Sequence, residues 1–296
     1  MPDLKENNKI KDLTISIVSY NSLDFLRECL DSILENPPEL NYEIMVVDNA
    51  SHDGTVEFVK NNYPEVVLIA NNKNIGFAAA NNRAIERSHS KYMLLLNSDC
   101  MVYEKSLNNL VDFMESRPGI GITGPKIINN DETIQLSCRR FPSMFNAAAH
   151  TILTDIFPGN PFSKKYKLIG IDRDEPRKVD WVSGSCMIIR REALEDTGTL
   201  DERYFMYVED LDICYRMWQK KWEVYYNPEV KIMHHIAGSS GRGKIKSSFR
   251  MQRSVFHFFW KNYRKNWRIV LIPLLILVLG LRVFLSIIKS FFSKKK

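Results

Sequence analysis

Aspartate and glutamate are absent from residues 241–296, which carry 14 lysines and arginines. Residues 1–240 lean the other way, with 27 basic and 35 acidic side chains and a net charge of −8. The overall +6 therefore describes neither part. By charge the acidic body is no nucleic-acid binder, whereas the basic end suits an anionic surface. Cysteine is scarce: Cys29, Cys100, Cys138, Cys186 and Cys214 are scattered, odd in number and without a CxxC pair. That argues against a disulfide framework and a cysteine-based zinc site, and for a reduced, cytosolic compartment. The N-terminus, MPDLKENNKIKDL, lacks the apolar run of a signal peptide. What is present is 296 residues of ordinary globular composition, enough for one large domain or two smaller ones.

Short apolar runs dominate the first 130 residues. Residues 13–19 (LTISIVS), 43–47 (EIMVV), 66–70 (VVLIA) and 92–96 (YMLLL) have the length and continuity of strands buried on both faces. Between them lie segments with helical spacing. Leu23, Leu26, Leu30, Ile33 and Leu34 follow a capping residue, Ser22, and stop before Pro37-Pro38. A second helix starts after Asp53-Gly54, and a third, of small residues, spans 77–88. This β-α-β-α-β-α-β order predicts a mostly parallel sheet with right-handed crossovers. Successive strands end in Tyr20-Asn21, Asp48-Asn49, Asn71-Asn72 and Asn97-Ser98-Asp99. Those ends share one rim, where ligands bind in open α/β sheets, so the rim is a polar cleft. A carboxylate there suits a hard cation that in turn holds a diphosphate; a plain Asx turn has the same composition.

Further on, residues 105–116 read as a helix and 119–126 as a strand. Residues 129–177 are irregular, with four prolines and a short helix expected near 145–157. Order returns with a strand segment at 179–190, a helix at 191–196, and a helix at 209–220. Strands are expected at 223–226 and 230–234. The polar, glycine-rich run 238–243 marks a domain boundary, placed at residue 240.

Six blocks in order then carry a resemblance: TISIVSYN, VVDNAS, NIGFAAANN, LLLNSD, WVSGSCMIIRREAL and FMYVEDLDICYRMW. Together, over about residues 13–240, they resemble a family 2 glycosyltransferase with the GT-A fold. The likeness is nearest to the rhamnosyltransferase-like branch that builds bacterial cell-surface polysaccharides. The resemblance implies a nucleotide-sugar donor (dTDP-rhamnose or a UDP-sugar), a saccharide or lipid-linked acceptor, and Mg²⁺ or Mn²⁺. It also implies inversion by direct displacement. It puts Tyr20, Asn21, Asp48, Asn74, Gly76 and Ser98 at the nucleotide, and Asp99 and His234 at the metal. Asp210 becomes the base, Glu209 an acceptor contact, and Trp181 and Gly184 acceptor-facing residues. Asn97 stands where the first carboxylate of a DxD pair is usual, so one charge is missing. Each assignment has a plainer counterpart: turn residues at strand ends, Gly76 in a tight turn, carboxylates capping a helix, Trp181 in the core. A sugar-phosphate nucleotidyltransferase on a similar sheet wants a Gly-rich basic loop after the first strand, where this chain has SYNSLDF. A catalytically inactive membrane-bound scaffold is the other alternative, against which Asp48, Asp99 and Asp210 count.

The basic end adds a nearly uninterrupted apolar run at residues 269–288, preceded by aromatics interleaved with cations. Twenty residues just cross a hydrocarbon core of about 30 Å. Pro273, Gly280 and especially Arg282 count against a clean span. Cations flank both ends, so the charge rule gives no orientation and an in-plane segment fits as well. The expectation is a membrane-associated helical tail that contacts lipid and holds the enzyme at the cytoplasmic face.

Overall fold

Hydrogen bonding between the buried runs fixes how the strands are arranged. The computed structural model describes residues 11–143, 160–170, 173–235, 244–265 and 267–293. Its first half is β1 (Leu13–Ser19), α1 (Leu23–Glu35), β2 (Tyr42–Asp48), α2 (Thr55–Asn62), β3 (Val67–Ala70), α3 (Phe77–Arg87) and β4 (Tyr92–Asn97). There follow β5 (Cys100–Val102), α4 (Ser106–Glu115) and β6 (Ile120–Ile128). The second half contains β7 (Ile134–Gln135), β8 (Cys138–Arg139), α5 (Pro161–Tyr166), β9 (Arg177–Lys178) and β10 (Trp181–Val182). Then come β11 (Cys186–Arg190), α6 (Arg191–Thr197), α7 (Glu209–Gln219), β12 (Glu223–His234), α8 (Lys244–Tyr263) and α9 (Ile272–Ser293). The helix expected near 145–157 lies outside the described residues.

The large sheet has the order β3-β2-β1-β4-β11-β6-β12-β5. β3, β2, β1 and β4 run parallel, as their continuous apolar sequences require. β11 is antiparallel to both β4 and β6, and β12 is parallel to β6 but antiparallel to β5. The sheet is thus α/β and mixed towards one side, a GT-A-like architecture whose first half is the parallel part.

Two expectations about strands change. Residues 179–190 do not form one strand, because Ser183-Gly184-Ser185 breaks the ladder between β10 and β11. Residues 223–226 and 230–234 belong to one strand, β12, whose register shifts between Asn227 and Lys231 around Pro228. Ser22 does not cap α1 either: its hydroxyl is paired with Ser19 and Ser98, and Asp53 accepts from the Leu23 N–H instead.

The boundary expected at residue 240 falls in 236–243, outside the described residues. Beyond it, Phe258, Phe259 and Tyr263 of α8 and Ile272, Leu275 and Leu279 of α9 join one buried cluster with Trp181, Val208, Leu211 and Met217. Lys261 of α8 forms ion pairs with Asp201 at 2.9 Å and Asp212 at 2.8 Å. The opposite side of the tail exposes Val270, Leu274, Leu277, Leu281 and Phe284. Trp267–Phe284 is long and apolar enough, by length and composition, to cross a membrane.

Candidate active site

The carboxyl ends of β1, β2 and β4 open into a cleft of about 1000 Å³. Tyr20, Asn74, Gly76, Ser98, Asp99, Trp181, Gly184, Glu209, Asp210 and His234 all line it. Residues from six separate stretches of sequence therefore meet at one rim. Asn21 and Asp48 are not among the lining residues, although their chain neighbours Tyr20 and Asn49 are. Asn21, at φ +50°, ties two strand ends together: its N–H donates to Ser51 Oγ and its Oδ1 accepts from the His52 N–H.

Asp48 ends β2 and is almost fully buried. Its Oδ2 accepts from the Ser51 N–H at 3.0 Å, while Oδ1 is buried without a partner. A buried carboxylate oxygen left unpaired is costly, and an N–H from a ligand offsets that cost. Asn49 is held by Asn71, whose amide donates to Asn49 Oδ1 at 2.9 Å, and itself donates to the Gly76 carbonyl. Gly76 has φ +91°, and a Cβ there would run into the Phe205 carbonyl oxygen. Glycine is needed for both reasons, so this position is a packing requirement as well as a piece of cleft wall.

Asp99 lies in the two-residue connection between β4 and β5. The β5–β12 ladder sets His234 opposite Cys100, which brings His234 Nε2 to 3.1 Å from Asp99 Oδ1. Gln135 determines what that contact means. Its amide NH₂ donates to Asn129 Oδ1 and to the His234 carbonyl, so its Oε1 faces His234 Nδ1 at 2.9 Å. With Nδ1 occupied by Gln135, Nε2 is the ring nitrogen turned to the Asp99 carboxylate, and it is the one that a cation between them would meet. A divalent cation fits this donor set. Among the described residues Asp99, Cys100 and His234 form a group with ligand atoms within 4.8 Å of one another. Cys100 is a poor third member: burial pushes its thiol well above the ordinary range, and it donates to the Ser185 carbonyl. His235, the neighbouring candidate, turns instead to Glu28 at 3.2 Å and the Phe25 ring.

Glu209 and Asp210 open α7. The chain reaches them through Tyr207 and Val208, at φ +72° and +75°, a left-handed pair that β-branched Val208 rarely adopts. Such strain recurs at functional sites. Here it aims the first turn of α7 at the cleft. Asp210 Oδ2 accepts from the Gly184 N–H at 3.0 Å and Oδ1 from the Leu211 N–H at 2.8 Å. Burial raises the Asp210 carboxyl above its usual range, against the opposing pull of those N–H groups and of Arg139. Glu209, buried with Oε2 unpartnered, is pushed well up by burial and then by Asp210. Two adjacent carboxyls with raised proton affinity suit proton transfer.

Trp181 is both core and wall: it is 5% exposed, donates from Nε1 to the Arg140 carbonyl, and faces the cleft. Sequence reasoning missed Asn49, Arg139 and the contribution of the tail, which adds Lys246, Arg250 and Arg282 to the lining. Asn49 adjoins Asp48 and carried a visible signal, whereas Arg139 lies in the irregular stretch and carried none.

The family model for glycosyl transferase family 2 matches residues 14–198. The chain is 31% identical over 267 residues to the N-acetylglucosaminyl-diphospho-decaprenol L-rhamnosyltransferase of Mycobacterium tuberculosis, covering 86% of each chain. It is 24% identical over 265 residues to rhamnosyltransferase WbbL of Escherichia coli, covering 82% of this chain and 91% of the relative. The mannosyltransferase PcManGT from Pyrobaculum calidifontis, solved with GDP-Man and Mn²⁺, superposes with a TM-score of 0.58. It is 18% identical, over 96% of this chain and 76% of its own. GalNAc-T7, solved with UDP, GalNAc and Mn²⁺, gives a TM-score of 0.62 at 17% identity, over 87% of this chain and 50% of its own. The two solved structures share the fold; the family match and the mycobacterial relative go further, and this chain belongs to glycosyl transferase family 2.

Proposed function

We propose that this glycosyltransferase moves rhamnose or another hexose, with inversion, from a dTDP- or UDP-linked donor to a lipid-linked saccharide during cell-surface polysaccharide synthesis. The observation that carries the reading is that Asp210, with its raised proton affinity, shares one cleft with Asp99 and His234. Asp210 accepts the proton of the acceptor hydroxyl as the new glycosidic bond forms and the bond to the nucleoside diphosphate breaks. The Gly184 and Leu211 N–H groups hold its two oxygens in orientation. The unpartnered oxygen of Asp48 receives a ring N–H of the pyrimidine, with Tyr20, Asn21, Asn74 and Gly76 around the nucleotide. Glu209, Trp181 and Gly184 face the acceptor sugar. Asp99 and His234 hold Mg²⁺ or Mn²⁺, which neutralises charge on the departing diphosphate when bound. Solved GT-A-like neighbours containing Mn²⁺ support the metal, and the mycobacterial relative's name supports a lipid-linked acceptor.

Residues 1–240 carry this chemistry, and residues 241–296 hold the enzyme to lipid at the cytoplasmic face, with no nucleic-acid partner. The test is transfer by the detergent-solubilised full chain from dTDP-rhamnose and from UDP-sugars to a lipid-linked GlcNAc acceptor, with Mn²⁺, Mg²⁺ or EDTA. Product from one donor, lost with EDTA and with Asp210→Asn, is expected. Equal product from wild type and Asp210→Asn refutes the base assignment.

A further inference from the structure

The turn that delivers Asp210 does not hold itself in place. Residues 198–208 join α6 to α7 with neither helix nor strand, and they end in the left-handed pair Tyr207 and Val208. Backbone in so sparsely populated a region persists only where its surroundings over-determine it. On one side the loop is tied to the start of α3, where the Phe205 carbonyl accepts the Phe77 N–H at 2.8 Å. On the other side it meets α8, and four consecutive loop residues each find a partner there. The Tyr204 ring meets His257 edge-on at 4.9 Å, and Arg250 lies 4.3 Å over the Phe205 ring. Ser254 Oγ donates to the Met206 carbonyl at 3.2 Å, and the Tyr207 and Ser247 hydroxyls share a hydrogen bond of 2.8 Å.

Ser247, Arg250, Ser254, His257 and Lys261 recur at intervals of three and four residues, so they form one stripe along α8. A polar stripe is normally the solvent face of a helix; this one is turned to the body. Lys261 anchors it. Its ammonium lies 2.8 and 2.9 Å from the two oxygens of Asp212 and 2.9 Å from Asp201 Oδ2. Asp212 is fully buried, and its N–H donates to the Val208 carbonyl at 2.8 Å, the opening hydrogen bond of α7. One residue therefore joins the tail's cation to the strained turn. Without Lys261 the buried carboxylate loses a charged partner, a cost that loosening of the loop relieves. Ser247, Ser254, His257 and Lys261 are not among the residues that line the cleft. Whatever they contribute to its chemistry passes through residues 204–212.

We propose that this stripe of α8 is a positioning element, which clamps the loop so that the Tyr207–Val208 turn keeps the Asp210 carboxyl aimed into the cleft. The clamp stands on the contacts alone; its effect on a base rests on the glycosyl-transfer reading.

The test compares the detergent-solubilised full chain with Lys261→Met, Lys261→Arg and Ser247→Ala. Hydrogen–deuterium exchange read by mass spectrometry reports the clamp without reference to any reaction. Lys261→Met is expected to speed exchange across 204–212 about tenfold or more, with β1, β2 and β4 unchanged. Ser247→Ala, which removes one hydroxyl and no charge, is expected to give a rise of about threefold in the same segment. It decides the question if Lys261→Met does not fold. In the transfer assay, kcat of Lys261→Met is expected to fall about tenfold or more while the donor KM stays within about twofold. Lys261→Arg, which keeps the charge, is expected to recover most of both losses. Unchanged exchange at 204–212 in Ser247→Ala and in folded Lys261→Met overturns the clamp, as does a rise spread equally over the sheet. Wild-type kcat in a Lys261→Met chain with a faster-exchanging loop overturns the positioning role. Donor affinity falling in parallel with kcat assigns the stripe to the donor side instead. The expected exchange pattern in a chain that transfers no sugar refutes the enzyme reading and leaves the clamp standing.

Discussion

Asp210 is held by two backbone donors that favour its charged form and by burial that disfavours it, and burial prevails. A base of this kind loses activity as pH falls through its raised pKa. The acid limb of kcat is therefore expected above the ordinary carboxylate range, and Asp210→Asn is expected to lower kcat by about 10³-fold with the fold intact. Glu209 makes a stability prediction. Its folded pKa is raised, so the folded chain keeps a proton that the unfolded chain releases as pH climbs past the ordinary glutamate value. Wild-type stability falls over that interval, and Glu209→Gln escapes the loss. Urea unfolding at pH 5 and pH 8 is expected to show the variant gaining on wild type at the higher pH; a constant gap counts against the assignment. At Gly76 the expectation is structural. Gly76→Ala brings a Cβ against the Phe205 carbonyl at positive φ and is expected to cost about 2 kcal/mol or more by denaturant titration. Asp210, Glu209 and Asp99 were legible because carboxylates at strand and helix ends carry a pattern. Arg139 was not, because nothing local distinguishes a cleft arginine from a surface one.

The elements around the site work through pairing that no linear pattern contains. β5 is three residues long, yet its ladder with β12 is what sets His234 beside Asp99. β7 is shorter still, and it carries the glutamine that orients the imidazole. Gln135→Leu is expected to weaken Mn²⁺ binding about tenfold while leaving thermal stability near wild type. Unchanged affinity shows that the imidazole orients without Gln135. The parallel half of the sheet was readable from its apolar runs. The position of β11 between β4 and β6 was not, because antiparallel insertion leaves no signature in a five-residue apolar segment.

The acidic body and the basic tail are joined as well as juxtaposed. Lys261 of α8 meets Asp201 and the buried Asp212, and Tyr204 and Arg216 contact Asp212 from other directions. The tail and α7 therefore share one polar network under the Asp210 turn. The outward face of α9 gives the last prediction. Leu277→Asp is expected to reduce flotation of the protein with vesicles containing anionic lipid, without changing nucleotide binding, because that side chain is 70% exposed and carries none of the core. Equal flotation locates membrane contact elsewhere.

The chain's own pattern of apolar runs, polar strand ends and motif order was enough for the parallel half of the sheet, its polar rim, the family and most of the cleft-lining residues. All of these depend on short-range periodicity and on chemistry placed at fixed points along the chain. Tertiary structure alone decided that Asp48 keeps one oxygen unpartnered and that Gln135 meets Nδ1 of His234. It also decided that Arg282, a blemish in an apolar segment, faces the cleft. Each of those depends on contacts between residues distant in sequence, and the geometry of such contacts exists only once the sheet and the tail have packed.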